Sequence, residues 1–322
     1  MRLPDCEQVV DDVANAVLHG SRVIGIAGWE TGTFLLIEMM QTRGLTSWVK
    51  AVFTLDSSDP VTSVLGIPVV PVSALSETEL DVLVVASDED KEGVLKTCLP
   101  FVRGLPRVIV GGYGHFKFRD AAFRELQAGL LVPSFANGYP YTLTHLYQCL
   151  KNAARLELAG VVAEFGMFKG GTTMFLSRAI EHFGCMWPVI GFDTFEGFPP
   201  RRSILDMYDH PDCVFSDLPA VKRYFEGRQV EIVSGDIAQT CHRLDREDIV
   251  LSFMDTDNYT PAASAIDVIR ERTVVGGAIV FDHFTGVDRF RYTLGERMAG
   301  MVLLEDPRYF HLHDTGVFLR QK

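Results

Sequence analysis

The stretch VVAEFGMFKGG, residues 161–171, joins a short apolar run to a turn that contains three glycines. The apolar run predicts a buried strand, and the glycines predict a tight turn into a helix. Four further apolar runs downstream each end in an aspartate: VIGFD at Asp193, EIVSGD at Asp236, IVLSFMD at Asp255 and GGAIVFD at Asp282. Together these runs predict five strands of one parallel sheet.

The acids at the ends of these strands point to a single binding crevice. In an open parallel sheet, ligands bind outside the carboxyl ends of the strands. Glu164, in the first of the five strands, adds a fifth acid to the four aspartates. The pattern therefore predicts a crevice for a ligand that carries hydroxyl groups, a cation, or both.

The chain of 322 residues reads as two consecutive α/β blocks. In the first, we predict strands at 22–28, 49–56, 81–87 and 107–112, a proline-containing edge segment at 66–72 and a helix at 90–102. We assign residues 1–125 to an N-terminal Rossmann-like α/β domain, 126–140 to a linker and 141–322 to a second domain.

The second block ends differently from a nicotinamide-binding domain. We predict a helix over 141–157, strands at 161–165, 188–193, 230–236, 249–255 and 276–282, and two final strands at 301–305 and 315–321, with 309–313 as a further candidate for the pairing. A terminal antiparallel hairpin after a parallel sheet is typical of class I methyltransferases. The expected fold class is therefore α/β, with a Rossmann-like methyltransferase sheet preceded by a smaller Rossmann-like domain.

Composition excludes several classes of partner and location. The net charge of −12 disfavours a broad nucleic-acid surface or an anionic membrane. No apolar run reaches the roughly 20 residues that span a bilayer. Six scattered cysteines and an acidic, polar N-terminus unlike an export signal favour the cytoplasm.

The turn after the first strand of the second block follows the pattern acid-x-Gly-x-x-x-Gly, not GxGxxG. This pattern matches the turn of S-adenosylmethionine (AdoMet) sites. Asp193 stands where an acid accepts ribose hydroxyls, and Asp236 where one reaches the adenine amine; helix capping is the alternative for both aspartates. The predicted cofactor-binding residues are Glu164, Gly166, Phe168, Gly170, Gly171, Thr172, Asp193, Thr194, Asp236, Ile237 and Asp255.

A cluster of acidic side chains is expected where two neighbouring strands end. Asp255 and Asp282 should converge, because adjacent strands lie about 4.8 Å apart. A hard cation such as Mg²⁺ would neutralise such a cluster and bind a substrate hydroxyl. Asp257 and His283 are the candidates for a general base. The alternative is a set of solvated carboxylates without a metal.

The first block carries a weaker signal. The turn GIAGWETG, residues 25–32, is followed by Asp56 at the end of the next strand. This pair is compatible with a nucleotide or nucleotide-sugar site, but the match is loose and favours a vestigial or structural role.

The second block resembles the macrocin O-methyltransferase (TylF-like) family over residues 150–322. Its motifs DTFEGFP (193–199) and DTDNYTP (255–261) correspond to the family's DSFEGLP and DGDLYES runs. The resemblance implies an AdoMet- and metal-dependent enzyme that methylates sugar hydroxyls on natural products. It also implies that Asp255 binds the metal and that Asp257 is the base.

One position departs from the family pattern. The family places two aspartates and a tyrosine where this chain has Asp282, His283 and Phe284. Histidine binds Mg²⁺ poorly and suits softer divalent metals. His283 is therefore a ligand for another metal, the base of a metal-independent enzyme, or a non-catalytic replacement. The candidate metal ligands are Asp255, Asp282 and His283.

The leading hypothesis is an AdoMet-dependent O-methyltransferase that acts on a small hydroxylated acceptor, either a sugar or a sugar-bearing natural product. Alternatives are a nicotinamide-dependent oxidoreductase and a non-catalytic nucleotide or nucleotide-sugar binding protein. We expect residues 198–225 to form the acceptor loop or lid. The two α/β blocks favour a homodimer as the candidate assembly.

Overall fold

The structure, a computed structural model, describes residues 3–29, 31–56, 61–86, 90–111, 118–136, 141–285 and 291–322. It divides into two compact units, Met1–Phe118 and Arg119–Lys322, which are described separately. Among the described residues, no helix is long and apolar enough to span a bilayer.

The first unit is a six-stranded sheet with helices packed on it. Its elements are α1 (Leu3–Leu18), β1 (Ile24–Ala27), α2 (Thr31–Thr42), β2 (Val49–Thr54), β3 (Ser63–Val64), β4 (Ile67–Pro71), β5 (Val82–Val85), α3 (Lys91–Cys98) and β6 (Arg107–Val110). The strand order is β3-β4-β2-β1-β5-β6, and every pairing is parallel except β3 with β4. The proline-containing segment was predicted at an edge, but it forms the second strand, β4, because the turn at Leu65 and Gly66 joins it to the short strand β3, which takes the edge.

The candidate ligand site of this unit is only partly described. Asp56 follows β2 and is exposed, and the Thr33 hydroxyl donates to the carbonyl of Gly28 in the turn after β1. Glu30 and residues 57–60, which belong to the same strand ends, lie outside the described residues. The hypothesis of a nucleotide site here stays a prediction.

The second unit is built on a seven-stranded sheet. Its elements are α4 (Ala121–Ala128), α5 (Thr142–Arg155), β7 (Val161–Phe165), α6 (Gly171–His182), β8 (Val189–Asp193), α7 (Leu218–Tyr224), β9 (Val230–Ser234), α8 (Ile237–Thr240), β10 (Ile249–Met254), α9 (Tyr259–Arg272), β11 (Thr273–Phe281), α10 (Leu294–Gly300), α11 (Val302–Glu305), β12 (Tyr309–His311) and β13 (Val317–Arg320). The sheet order is β12-β13-β11-β10-β7-β8-β9.

This order confirms the predicted fold class. The five strands β9, β8, β7, β10 and β11 are parallel, whereas β13 pairs antiparallel with β11 and with β12. Phe165, Phe192 and Met254 share one level of the sheet, so the residues that follow them meet at one edge. The central strands β7 and β10 are buried along their whole length, which explains their continuous apolar sequences.

The strand predicted at 301–305 is wrong, because α11 occupies Val302–Glu305 after α10. In this helix Leu303 faces the core while Val302 and Leu304 are exposed. A short apolar run fits either a helix or a strand, and periodicity alone cannot separate them. The first strand of the terminal hairpin is instead β12, inside the candidate segment 309–313.

The boundary between the units precedes the segment 126–140 that was predicted to be the linker. Asp120 caps α4 by accepting from the backbone N–H of Phe123, and it binds the Tyr147 hydroxyl at 2.9 Å and Lys151 Nζ at 2.7 Å. These contacts hold α4 on α5, so the described part of the segment up to Ala136 is built into the second unit. Residues 137–140 lie outside the described residues.

Candidate active site

A cavity of about 320 Å³ lies in the second unit at the carboxyl ends of the parallel strands. Open parallel sheets bind ligands at this edge, and the volume is in the range of small-molecule sites. The predicted site residues that line it are Gly166, Phe168, Asp193, Thr194, Asp236, Ile237, Asp255, Asp257 and His283. Those that lie outside its lining are Glu164, Gly170, Gly171, Thr172 and Asp282.

The turn after β7 requires glycine at position 166. Gly166 has a φ of +91°, and a Cβ atom there would lie 1.9 Å from the carbonyl oxygen of Asp255. The backbone N–H of Asp255 in turn donates to the carbonyl of Phe165 at 2.9 Å. Backbone therefore packs on backbone here, so the end of β7 is held against the end of β10.

Glu164 is buried beneath α6, outside the cavity lining. The Thr173 hydroxyl donates to its Oε2 atom at 2.5 Å. Burial raises the pKa of Glu164 to about 8 against the opposing effect of this hydrogen bond. The structure thus shows Glu164 bound to the first turn of α6, and its predicted contact with the cofactor stays a prediction.

Asp193 lies at the end of β8 and lines the cavity. Its two carboxylate oxygens accept from the backbone N–H groups of Phe168, at 2.8 Å, and Phe195, at 2.7 Å. Burial raises the pKa of Asp193, and these hydrogen bonds oppose the effect. Since a carboxylate has about four acceptor sites, the group retains capacity for ligand hydroxyls.

Asp236 caps α8, in agreement with the capping alternative for this residue. Its Oδ1 atom accepts from the backbone N–H of Ala238 at 3.0 Å, and Arg202 forms an ion pair with it at 2.8 Å. Asp236 also lines the cavity, next to Ile237. Capping and contact with a ligand are therefore compatible at this position.

The N-terminus of α6 is packed under the chain that precedes α5. A Cβ atom on Gly171 would lie 2.1 Å from the carbonyl oxygen of Pro133, and Thr172 Oγ1 lies 2.8 Å from Ser134 Oγ. Phe135, two residues beyond Pro133, reaches the cavity. Gly171 and Thr172 therefore position a wall of the cavity without lining it.

The predicted acid cluster forms at the ends of β10 and β11. The Nε2 atom of His283 lies 3.0 Å from Asp257 Oδ1, 3.4 Å from Asp282 Oδ2 and 3.6 Å from Asp255 Oδ1. The potential ligand atoms of Asp255, Asp282 and His283 all lie within 4.8 Å of one another. Asp255 and Asp257 face the cavity, whereas Asp282 is almost completely buried behind them.

The electrostatics of this cluster favour the uptake of positive charge. Burial and then the charges of Asp282 and Asp257 raise the pKa of Asp255 well above its ordinary range. Burial alone would lower the pKa of His283, but the hydrogen bond to Asp257 and the charge of Glu296 outweigh it and raise the pKa to about 9. Close carboxylates thus draw in protons, and a cation would relieve the same repulsion.

The donor set fits a divalent cation. Two carboxylates and one imidazole can reach a common point, and carboxylates are the ligands that hard cations prefer. The imidazole nitrogen moves the preference from Mg²⁺ towards Mn²⁺, Co²⁺ or Zn²⁺. The residues present are therefore compatible with a bound metal.

Three polar residues around the cavity have structural roles that the sequence did not predict. Glu296 is fully buried on α10 and binds the loops that carry the acid cluster. Asn258 exchanges two hydrogen bonds, each 2.9 Å long, with the backbone of Tyr208. Asp206 accepts from the N–H and hydroxyl of Thr260 at 2.8 and 2.7 Å. Each of the three has a partner 40 to 54 residues away in the chain, so no local pattern could reveal these contacts.

Comparison with known proteins places the second unit in a family. The family model for macrocin-O-methyltransferase (TylF) matches residues 140–320, more than half of the chain. No curated protein matches the chain.

Three solved structures illustrate the structural similarity. The O-methyltransferase NovP is 17% identical, with a TM-score of 0.48 over 56% of this chain and 79% of NovP. The calicheamicin methyltransferase CalS11 is 21% identical, with a TM-score of 0.46 over 62% of this chain and 89% of CalS11. The Podospora anserina methyltransferase PaMTH1, solved with SAH bound, is 15% identical, with a TM-score of 0.37 over 64% and 98%. These likenesses are too distant to carry an argument about the site.

The family match extends from α5 to β13, which is the whole sheet that carries the cavity. It includes the motif regions 161–171, 193–199 and 255–261, and each of them contributes residues to the cavity lining. The strand order of a class I methyltransferase and the family match thus agree over the same residues. The chain belongs to the macrocin-O-methyltransferase (TylF) family, and its second unit is an AdoMet-dependent methyltransferase.

Proposed function

We propose that the second unit methylates a hydroxyl of a sugar or of a sugar-bearing natural product, with AdoMet as the donor. The observation that carries the proposal is the convergence of Asp257, Asp255 and His283 in the cavity that Asp193 also lines. A carboxylate suited to an adenosyl ribose and a cluster suited to hydroxyl activation thus share one small-molecule site.

The proposed cofactor residues are of two kinds: some contact AdoMet, and others shape the cavity around it. Asp193 accepts hydrogen bonds from the ribose hydroxyls. Each of its oxygens also accepts from a backbone N–H group, which fixes the orientation of the carboxylate. Gly166 leaves the turn open to the ligand, since a side chain there would meet Asp255. Phe168 and Ile237 supply apolar surface beside them. Bound AdoMet supplies a methyl group that is already activated by its sulfonium.

The acceptor hydroxyl is deprotonated by Asp257. Its carboxylate lies at the cavity wall, with one oxygen 3.0 Å from the imidazole of His283. A base held in this way can take the proton as the oxygen becomes nucleophilic. Asp255, Asp282 and His283 would hold a divalent cation, which supplies positive charge where the alkoxide develops.

The acceptor class is supported by the lining and by the family. Phe198, Tyr208 and Phe135 present aromatic rings to the cavity, and such rings suit the apolar faces of a sugar. The family takes its name from an O-methyltransferase of macrocin. A hydroxylated small molecule is therefore the proposed partner; the homodimer, the cytoplasmic location and the exclusion of nucleic acid stay predictions from composition.

The direct test is methyl transfer to a panel of glycosides and free sugars, with methylated product and S-adenosylhomocysteine measured together by mass spectrometry. We expect product that depends on AdoMet and that is strongly reduced in Asp257→Asn. Absence of product with every glycoside, together with no AdoMet binding by calorimetry, would contradict the proposal. A fluorescence titration with NADH tests the oxidoreductase alternative, for which no GxGxxG turn is present.

A further inference from the structure

We propose that Glu296 is a positioning residue, whose carboxylate sets the geometry of the base and of the metal-binding loops through three backbone hydrogen bonds. This inference rests on the proposed function, because it concerns the placement of Asp257 and of the candidate ligands. Glu296 is neither a cavity-lining residue nor a candidate metal ligand, and it acts on such residues through the backbone N–H groups of Thr256, Asp257 and His283.

The contacts of Glu296 join two separate strand ends. Its Oε2 atom accepts from the N–H groups of Thr256, at 2.8 Å, and Asp257, at 2.9 Å. Its Oε1 atom accepts from the N–H of His283 at 3.0 Å. The first two amides follow Asp255 at the end of β10, and the third follows Asp282 at the end of β11. One side chain thus sets the spacing of both loops that carry the cluster.

A carboxylate is required for this set of contacts. Three N–H donors meet two oxygens, and both oxygens are acceptors only when the group is a carboxylate. A glutamine would turn its NH₂ group towards at least one backbone N–H, which would leave that donor unsatisfied in a site with no exposure to water. Burial raises the pKa of Glu296 to about 7, and the charge of His283 and the hydrogen bond from its N–H oppose that rise and favour the carboxylate.

The neighbouring glycine provides independent support, because it lets α10 approach closely enough for these bonds. A Cβ atom on Gly295 would lie 2.2 Å from the carbonyl oxygen of Leu205 and 2.8 Å from the backbone nitrogen of Tyr259. The helix therefore packs directly on the backbone of the acceptor loop and of α9. The pair Gly295–Glu296 combines close approach with a side chain that reaches inward.

The backbone conformation of Asp257 is one feature that the hydrogen bond to Glu296 maintains. Its φ is +58°, in the left-handed region that aspartate occupies only occasionally. Such a conformation persists where the surroundings hold it, and the bond from the Asp257 N–H to Glu296 does so directly. Release of this bond would let the base leave its position beside His283 without any change in the base itself.

The test compares Glu296→Gln with Glu305→Gln, a control in the exposed last turn of α11. For Glu296→Gln we expect kcat to fall about 10- to 100-fold and Mn²⁺ affinity, measured by electron paramagnetic resonance, to weaken about 10-fold. The AdoMet dissociation constant should stay within about 2-fold, because Asp193 is untouched, and Glu305→Gln should match the wild type. Hydrogen exchange at the amides of Thr256, Asp257 and His283 should accelerate in Glu296→Gln.

Unchanged exchange at these three amides, or wild-type kcat and Mn²⁺ affinity in Glu296→Gln, would overturn the inference. An equal loss of AdoMet binding would also overturn it, since that result indicates general support of the fold. If Glu296→Gln does not fold, Glu296→Asp keeps both acceptors but shortens the reach by one methylene. A folded Glu296→Asp with wild-type kcat and exchange rates would then overturn the proposal. Exchange and Mn²⁺ binding do not depend on methyl transfer, so failure of the proposed function remains distinguishable.

Discussion

The Nε2 atom of His283 lies 3.0 Å from Oδ1 of Asp257, although the two residues follow different strands. This contact places a nitrogen donor where the TylF-like pattern has a second aspartate. It also fixes one oxygen of the candidate base, Asp257, which lines the cavity. The exchange of aspartate for histidine is therefore tied to the chemistry of the site, and its effect on metal choice can be measured.

We expect His283→Asp to shift the metal preference towards Mg²⁺. The imidazole favours softer divalent ions, whereas a third carboxylate favours hard ones. In the wild type, Mn²⁺ or Co²⁺ should half-saturate activity at a lower concentration than Mg²⁺, and the substitution should reduce that ratio about 10-fold. The measurement is activity against metal concentration after treatment with a chelator. Full activity of the chelated wild type would show that no metal is needed.

Asp257→Asn should reduce kcat by about 100-fold or more while AdoMet affinity stays close to that of the wild type. The amide cannot accept the proton of the hydroxyl, and general-base catalysis contributes factors of this size. Steady-state kinetics and calorimetry separate the two effects. Asp245→Asn is the control, since Asp245 is an exposed aspartate on the surface. A kcat close to the wild-type value would remove Asp257 from the role of base.

Asp193→Ala should weaken AdoMet binding by about 10- to 100-fold, because it removes a charged acceptor from the cavity. It also releases the backbone N–H groups of Phe168 and Phe195, so thermal unfolding should be recorded alongside calorimetry. Asp267→Ala, at an exposed position on α9, is the control and should leave AdoMet affinity unchanged. Unchanged affinity in a folded Asp193→Ala variant would refute the ribose-binding assignment.

Gly166→Ala should lower the free energy of unfolding by roughly 2–4 kcal/mol and abolish AdoMet binding. The added Cβ would overlap the carbonyl oxygen of Asp255, and alanine also disfavours a φ of +91°. Gly184→Ala separates these two effects, because Gly184 has a φ of +71° and no atom lies within 4 Å of the position that its Cβ would take. This control should lose only about 1 kcal/mol. Equal losses in urea unfolding would show that steric overlap is unimportant at residue 166.

Asp306, which lies just before the terminal hairpin, should make the free energy of unfolding depend on pH in the acid range. The side chain of Arg308 binds Asp306 and Glu271, and the bond from Arg308 lowers the pKa of Asp306 to about 2. A folded-state pKa below the unfolded value means that the stabilisation is complete near neutral pH and is lost as pH falls from about 4 towards 2.

Asp306→Asn should therefore reduce the free energy of unfolding by roughly 1–2 kcal/mol at neutral pH, and by less at each step below pH 4. Urea unfolding from pH 6 to pH 3 measures this difference. Asp267→Asn, at an exposed position on α9, should show no such trend. A constant difference between the wild type and Asp306→Asn across the range would exclude the proposed linkage.

Local sequence was sufficient for the elements that govern the fold. The apolar runs that end at Asp193, Asp255 and Asp282 became strands of one parallel sheet, because buried parallel strands need continuous apolar sequence. The strand predicted at 301–305 failed, because its short apolar run has no period long enough to separate a helix from a strand.

By itself, the sequence determined the parallel strands of the second unit, the glycine turn at Gly166 and the acids that meet at one edge of the sheet. These features depend on local periodicity and on backbone preferences, and both are determined by short stretches of consecutive residues. Only the tertiary structure decided that Glu296 binds the residues that follow β10 and β11 and that Asn258 ties the segment around Tyr208 to α9. Such contacts join residues far apart in the chain, and they depend on how closely two backbones approach, which no local pattern encodes.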